Sequence, residues 1–117
     1  MSADPRPSPV FVSDPDALSR LLDALAGERV LALDTESNSF HVYRERVCLL
    51  QLSIRAGDFV VDPLAADVRP LVAALAAVPA VVLHGADYDV RCLKREYGIA
   101  LPSLFDTMAA ARRLGRA

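Results

Sequence analysis

The stretch VLALDTE, residues 30–36, decides the fold that the sequence predicts. Its first four residues form a continuous apolar run, which is typical of a central β-strand buried on both faces. Asp34 and Glu36 follow at the far end of this strand. Because residues two apart on a strand point to the same side, both carboxylates should project into one small volume. We therefore expect a buried central strand that carries an acidic pair at its carboxyl end.

The segments on either side of this strand predict a mixed sheet with helices packed on it. Residues 47–54 and 59–62 have the composition of two further strands joined by a hairpin turn at 55–58, so that three successive strands form an antiparallel meander. Beyond the meander, helices and strands alternate. The other predicted elements are a strand at 10–12, helices at 14–26, 68–77, 87–97 and 107–114, and strands at 80–83 and 104–106.

The length of 117 residues predicts one domain. Residues 1–9 are rich in Pro and polar residues and should form a flexible tail before a domain at 10–117. No apolar run approaches the ~20 residues that a membrane span requires, and the N-terminus lacks the apolar segment of a signal peptide. Cys48 and Cys92 fit no metal-ligand spacing and should be buried free thiols. We expect a cytoplasmic protein.

The formal net charge of −2 excludes a global basic field. Nucleic acid would therefore bind through local clusters of Arg and Lys or through a bound metal ion. The segment 41–46 contains His41, Tyr43, Arg44 and Arg46. This basic and aromatic group either stacks on a nucleotide strand or is simply solvated.

The acidic residues have both a structural and a chemical interpretation. Asp34 and Glu36 either begin a solvated loop or, since neighbouring anions repel, share a hard divalent cation such as Mg²⁺ or Mn²⁺. Asp87 lies at a helix start, where it caps the helix or complements its dipole. Asp89 shares a helical face with Cys92, so it should look back at the sheet, and a metal ion shared with Asp34 would give that buried carboxylate a partner.

Three segments, in order, resemble the ribonuclease D-like 3′→5′ exonucleases of the DEDD family. Residues 31–36 look like the first motif of that family, 84–94 resemble the second, and 104–110 are similar to the Asp-Thr segment that follows. The resemblance implies a ribonuclease H-like fold that releases nucleoside 5′-monophosphates from RNA 3′ ends, with tRNA precursors among the candidate substrates. It also implies two divalent ions, Mg²⁺ or Mn²⁺, which act through the two-metal mechanism.

The resemblance also assigns roles to individual residues. Asp34, Glu36 and Asp89 would be both the catalytic residues and the metal ligands. Glu36 would also contact the terminal sugar, and Thr35 would be a further substrate contact. Independently of the resemblance, His84 lies at a strand end beside Gly85, where it either contacts the substrate phosphate or forms a structural hydrogen bond to the backbone.

The sequence departs from the family pattern after the Asp-Thr segment. The third motif is a Tyr or His four residues before a final Asp, and none occurs between Tyr97 and Ala117. Asp106 is a poor substitute for that Asp, because the resemblance places it in the Asp-Thr segment. We therefore expect a C-terminally truncated domain with impaired activity, and a homodimer through an uncovered apolar face.

Two other functions remain open. The first is a noncatalytic module of the same fold that holds nucleic acid or a protein partner. The second is phosphotransfer with Asp34 as the nucleophile, against which Glu36 and the meander argue.

Overall fold

The computed structural model describes residues 6–38, 46–98, 100–101 and 103–116. Within these ranges the chain forms six strands and four helices. In chain order they are β1 (Val10–Val12), α1 (Pro15–Leu25), β2 (Val30–Asn38), β3 (Arg46–Ile54), β4 (Gly57–Val61), α2 (Arg69–Ala77), β5 (Ala80–Leu83), α3 (Ala86–Tyr97), β6 (Leu104–Asp106) and α4 (Thr107–Arg113). Each of them was predicted, although several boundaries differ.

The strands of the described chain form one sheet in the order β1-β4-β3-β2-β5-β6. β2, β3 and β4 are antiparallel neighbours, as the meander prediction requires. β5 pairs with β2, β6 pairs with β5, and β1 pairs with β4, all in parallel. The predicted mixed sheet is therefore confirmed, and β2 lies near its centre.

β2 is longer and less buried than the sequence predicts. It continues to Asn38, so the acidic pair lies within the strand and not at its end. The buried residues of β2 are Leu31, Leu33 and Thr35, and the exposed ones that alternate with them are Ala32, Asp34 and Glu36. The prediction that both faces are buried is wrong, because α1, α2 and α3 contribute to one core cluster that covers a single face of this strand. We call Ala32, Asp34 and Glu36 the open face of β2.

The helix boundaries follow the predicted start and stop residues. Asp14 caps α1, where its carboxylate accepts a hydrogen bond of 2.8 Å from the backbone N–H of Ala17. α3 begins at Ala86, one residue before the predicted start, and Gly98 ends it with a φ of 68°. Glycine adopts this left-handed conformation without the steric cost of a Cβ. α4 has no buried residue and lies on the surface.

Arg6, which precedes β1, forms hydrogen bonds with the hairpin of β3 and β4. Its guanidinium donates to the carbonyl of Ile54 at 2.9 Å and to the carboxylate of Asp58 at 2.9 Å. Asp58 also accepts a hydrogen bond of 2.7 Å from the Ser53 hydroxyl. Ser53 and then Arg6 hold the pKa of Asp58 below its ordinary value. The predicted tail at residues 1–9 lies partly outside the described residues.

No helix in the described ranges is long and apolar enough to cross a membrane. Cys92 is buried and free, as the sequence predicts. The side chain of Cys48 lies outside what the structure describes, as do His41 and Tyr43.

Candidate active site

Asp34 and Glu36 point to the open face of β2 beyond the end of its parallel neighbour. The pairing of β2 with β5 stops at Ala32 and Val82, whereas the pairing with β3 continues past both acids. Asp34 Oδ1 accepts a hydrogen bond of 3.0 Å from the backbone N–H of Thr35, which fixes that carboxylate against the strand. Ligands bind at the carboxyl ends of parallel strands in sheets of this kind, and the two exposed carboxylates lie just past the point where the parallel pairing of β2 with β5 ends.

Asp89 lies on α3 behind this pair and is bonded to Thr35. The Thr35 hydroxyl donates a hydrogen bond to Asp89 Oδ1, and the two residues are only 6% and 5% exposed. Burial raises the pKa of the Asp89 carboxyl, the Thr35 hydrogen bond lowers it, and the charges of Asp34 and Glu36 raise it further. The buried carboxylate therefore has a partner, as predicted, but that partner is Thr35. The side chain predicted to contact substrate at position 35 instead faces the core.

We expect the substitution Thr35→Val to lower the free energy of unfolding by about 1–3 kcal/mol, because it leaves one oxygen of a buried carboxylate without a donor. Valine matches the shape of threonine, so a change in packing would contribute little. The matched variant Thr35→Ser keeps the hydroxyl and should retain most of the stability. Urea denaturation of the three proteins measures the effect, and a Val variant as stable as the Ser variant would contradict it.

Asp106 joins the N-termini of α3 and α4 through one carboxylate. Oδ2 accepts a hydrogen bond of 2.8 Å from Ala86 N–H, and Oδ1 accepts bonds of 2.9 Å from Gly85 N–H and Met108 N–H. Ala109 N–H lies at 3.4 Å from the same Oδ1. These donors, Ala86 first and Gly85 second, lower the pKa of Asp106 to about 2. Both of its oxygens thus serve the two helices, in agreement with its exclusion from the metal ligands.

The capping role of Asp106 changes the interpretation of Asp87. In the structure Asp87 is exposed and forms an ion pair of 3.0 Å with Arg91, one turn along α3. The N-cap position of α3 is Gly85, with a φ of 69° and no side-chain cap. Of the two roles predicted for Asp87, capping is not the one observed, because the N–H groups of Gly85 and Ala86 donate to Asp106 of β6. Because Asp87 lies in the first turn of α3, its negative charge complements the helix dipole, which was the other predicted role.

His84 follows β5 and is held by Thr107. His84 Nδ1 lies 2.8 Å from Thr107 Oγ1, and the same hydroxyl donates to the carbonyl of Leu83 at 3.2 Å. His84 and Asp34 each lie two residues beyond the paired residues Val82 and Ala32. Because neighbouring residues of parallel strands point to the same face, the register carries His84 to the side on which Asp34 is exposed.

The exposed carboxylates of Asp34 and Glu36 are chemically suited to a hard divalent ion. Asp34 and Glu36 offer the oxygen ligands that Mg²⁺ and Mn²⁺ prefer. Both lie near enough to Asp89 for their charges to raise its pKa, and a cation between the three groups would offset that repulsion. No three His, Cys, Asp or Glu side chains of the described residues yet converge as a complete metal site. In the structure Asp34 and Glu36 are exposed, whereas Asp89 is buried and bonded to Thr35.

Sequence reasoning missed Thr107 as a contributor to this region. Its signal was the dipeptide Asp106-Thr107, which the resemblance singled out without giving either residue a role. In the structure both side chains reach the segment from Leu83 to Ala86 that leads into α3. The dipeptide therefore supports the loop on which His84 lies.

Comparisons with known proteins place this geometry in context. A family model described as 3′-5′ exonuclease matches residues 9–117. Exosome complex component 10 of Mus musculus is 38% identical over 111 residues, which cover 92% of this chain and 12% of that protein. The catalytic core of RRP6 from Trypanosoma brucei is 34% identical with a TM-score of 0.84, covering 100% of this chain and 35% of that one. RNase D of Escherichia coli is 28% identical with a TM-score of 0.84, covering 95% and 30%.

These coverages show that the chain spans a small part of its curated relative and about a third of the two solved structures. The solved structures confirm the predicted ribonuclease H-like fold.

Proposed function

The chain belongs to the ribonuclease D-like 3′-5′ exonucleases of the DEDD family, and on this premise we propose that it hydrolyses phosphodiester bonds at RNA 3′ ends. The observation that carries the proposal is the exposed pair Asp34 and Glu36, with the buried Asp89 immediately behind it. Nucleoside 5′-monophosphates are the proposed products. RNA is favoured because RNase D of Escherichia coli is described as an exoribonuclease involved in structured RNA processing. Precursors of tRNA, which the family resemblance suggested, are candidate substrates.

We assign each site residue a role in this reaction. Asp34 and Glu36 would hold the divalent ions on the open face, and Asp89 would complete the ligand set from behind. Two such ions, when bound, activate a water molecule and stabilise the leaving oxygen. Glu36 would also orient the terminal sugar, since its carboxylate is exposed on the open face. Thr35 holds one oxygen of Asp89, which leaves the other oxygen for a ligand.

These 117 residues carry part of the catalytic set that the family pattern contains. They contain three carboxylates of that pattern, Asp34, Glu36 and Asp89. In the family pattern a further Asp is a metal ligand and a Tyr or His orients the attacking water, so a purified protein of these 117 residues alone would turn over several orders of magnitude more slowly than one that contains both. A noncatalytic module that holds RNA or a protein partner is the second candidate.

The test is an exonuclease assay on the purified chain. We expect 5′-labelled single-stranded RNA to shorten slowly from its 3′ end when Mn²⁺ is present and to remain intact when EDTA is added, because the carboxylates act only through the ion. A denaturing gel resolves the ladder of products. A 3′-phosphorylated RNA serves as a control substrate, since it lacks the free terminal sugar hydroxyl. RNA that stays intact but binds the chain would support the noncatalytic module instead.

Two proposals complete this assignment. A homodimer through uncovered apolar residues such as Phe105, which is 54% exposed, stays a prediction that gel filtration can test. A cytoplasmic location likewise stays a prediction.

A further inference from the structure

The contacts of Thr107 favour one tautomer of the His84 ring over the other. A hydroxyl group has one hydrogen to donate. The Leu83 carbonyl can only accept, so the contacts of Thr107 Oγ1 to Leu83 at 3.2 Å and to His84 Nδ1 at 2.8 Å are both hydrogen bonds only when Thr107 donates to Leu83 and accepts from Nδ1. The neutral ring is therefore the tautomer with the proton on Nδ1, and Nε2 keeps a lone pair. The structure gives His84 Nε2 no partner among the described residues.

This protonation state determines what His84 can recognise. A neutral Nε2 accepts hydrogen bonds and donates none. Phosphate oxygens are anionic acceptors, so they would repel this lone pair. Sugar hydroxyls are donors and would satisfy it. The open face on which Asp34 and Glu36 lie is also the side to which the register of β2 and β5 carries His84.

We propose that His84 is a specificity-determining residue that accepts a hydrogen bond from a ribose 2′-hydroxyl at the RNA 3′ end, with Thr107 as its positioning residue. This inference rests on the proposed exonuclease function and deepens it. The 2′-hydroxyl is the group that distinguishes RNA from DNA at a given site. His84 would thus favour RNA through one hydrogen bond, while the exposed carboxylates handle the phosphodiester.

The rigidity of the loop supports this assignment. Asp106 holds the N–H groups of Gly85 and Ala86, the two residues that follow His84. Because β6 and the start of α4 fix both the backbone and the ring, the lone pair of Nε2 has a defined direction. A fixed acceptor discriminates better than a mobile one, since little entropy is lost on binding.

The first test determines the tautomer directly. At pH 8 an ordinary imidazole is neutral, and the ¹⁵N chemical shifts of the His84 ring report which nitrogen is protonated. We expect the proton on Nδ1 in the wild-type chain and a mixture of both tautomers in Thr107→Val. A wild-type ring with its proton on Nε2 would overturn the proposal whatever the chain does to RNA.

The second test measures binding without turnover. Fluorescence anisotropy in Ca²⁺ compares a 5′-labelled RNA with the same RNA carrying 2′-deoxyribose in its last two nucleotides. We expect the wild-type chain to bind the deoxy-ended RNA about 3- to 10-fold more weakly, the size of one neutral hydrogen bond. His84→Asn keeps a short amide near Thr107 but has no Nε2 acceptor, so it should bind both RNAs equally. His84 is exposed, so this variant should fold.

The outcomes separate the two proposals. Equal binding of both RNAs by the wild-type chain would overturn the role of His84 and leave the exonuclease function standing. Discrimination that persists in His84→Asn would do the same. A chain that binds neither RNA would overturn the proposed function, and the role of His84 with it.

Discussion

The substitution Asp34→Asn is expected to abolish Mn²⁺-dependent shortening of RNA, with a loss of about 100-fold or more. An amide oxygen is neutral and binds a hard cation far more weakly than a carboxylate does. Metal ions contribute several kcal/mol to stabilising the charge of the transition state, and about 2.7 kcal/mol corresponds to 100-fold in rate. The fold should survive, because asparagine keeps the Oδ1 acceptor that receives the Thr35 N–H bond of 3.0 Å.

Asp87→Asn is the matched control for this experiment. Asp87 is an exposed carboxylate near the start of α3, and its ion pair is with Arg91. Its loss changes the net charge by the same amount without removing a proposed ligand. Single-turnover gels and circular dichroism of both variants distinguish a chemical effect from a folding effect. An Asp34→Asn protein as active as the Asp87→Asn protein would remove Asp34 from the reaction.

The second large effect is expected at Asp106, where substitution by Asn should lower the thermal midpoint on the order of 5–10 °C. An amide can keep one oxygen towards Gly85 and Met108, but it then directs its NH₂ group at the N–H of Ala86. Two donors would face each other at the start of α3. The thermal melt followed by circular dichroism measures the loss.

The pH dependence of this loss follows from the pKa of Asp106. Its folded value of about 2 lies below the ordinary 3.8. The carboxylate therefore contributes its stability above pH 4 and loses it as the pH falls from about 4 to about 2. The difference in thermal midpoint between the wild-type chain and Asp106→Asn should shrink across that window.

Asp67→Asn is the control for the pH experiment. Asp67 also has a pKa of about 2, caused by Arg69, but both side chains of this pair are more than half exposed. Exposed local ion pairs contribute little to stability. The variant should melt close to the wild-type chain at every pH. A loss as large as that of Asp106→Asn would mean that the low pKa, and not the connection of two helices, determines the effect.

The elements of this fold could be predicted because they depend on local sequence. Residues 30–33 are apolar in succession, and the meander follows from strand composition and a short turn. The open face of β2 could not be predicted in the same way. Ala32 looks like a core residue in the sequence, and it is exposed because the core helices cover the other face of its strand. Which face is covered depends on contacts between distant segments.

The same distinction applies to the candidate site. Asp89 was expected to face the core because it shares a helical face with Cys92, and both are buried. Its partner Thr35 is 54 residues away in the sequence, and only the packing of α3 beside β2 brings the two together. Asp106 pairs with Leu83 in the register of β5 and β6, and this pairing places Asp106 beside the start of α3. No pattern within either segment indicates these contacts.

The strand order also implies a sequence of events during folding. β2 and β3 pair as close neighbours in the chain, whereas Val30 of β2 must find Ala80 of β5 across nearly half the sequence. Closing the longer loop costs more chain entropy and proceeds more slowly. Asp34 and Glu36 should therefore reach their native surroundings in an early hairpin. Asp89 would join them only after β5 has docked. The acidic site would therefore be complete only late in folding, although Asp34 and Glu36 are in place early.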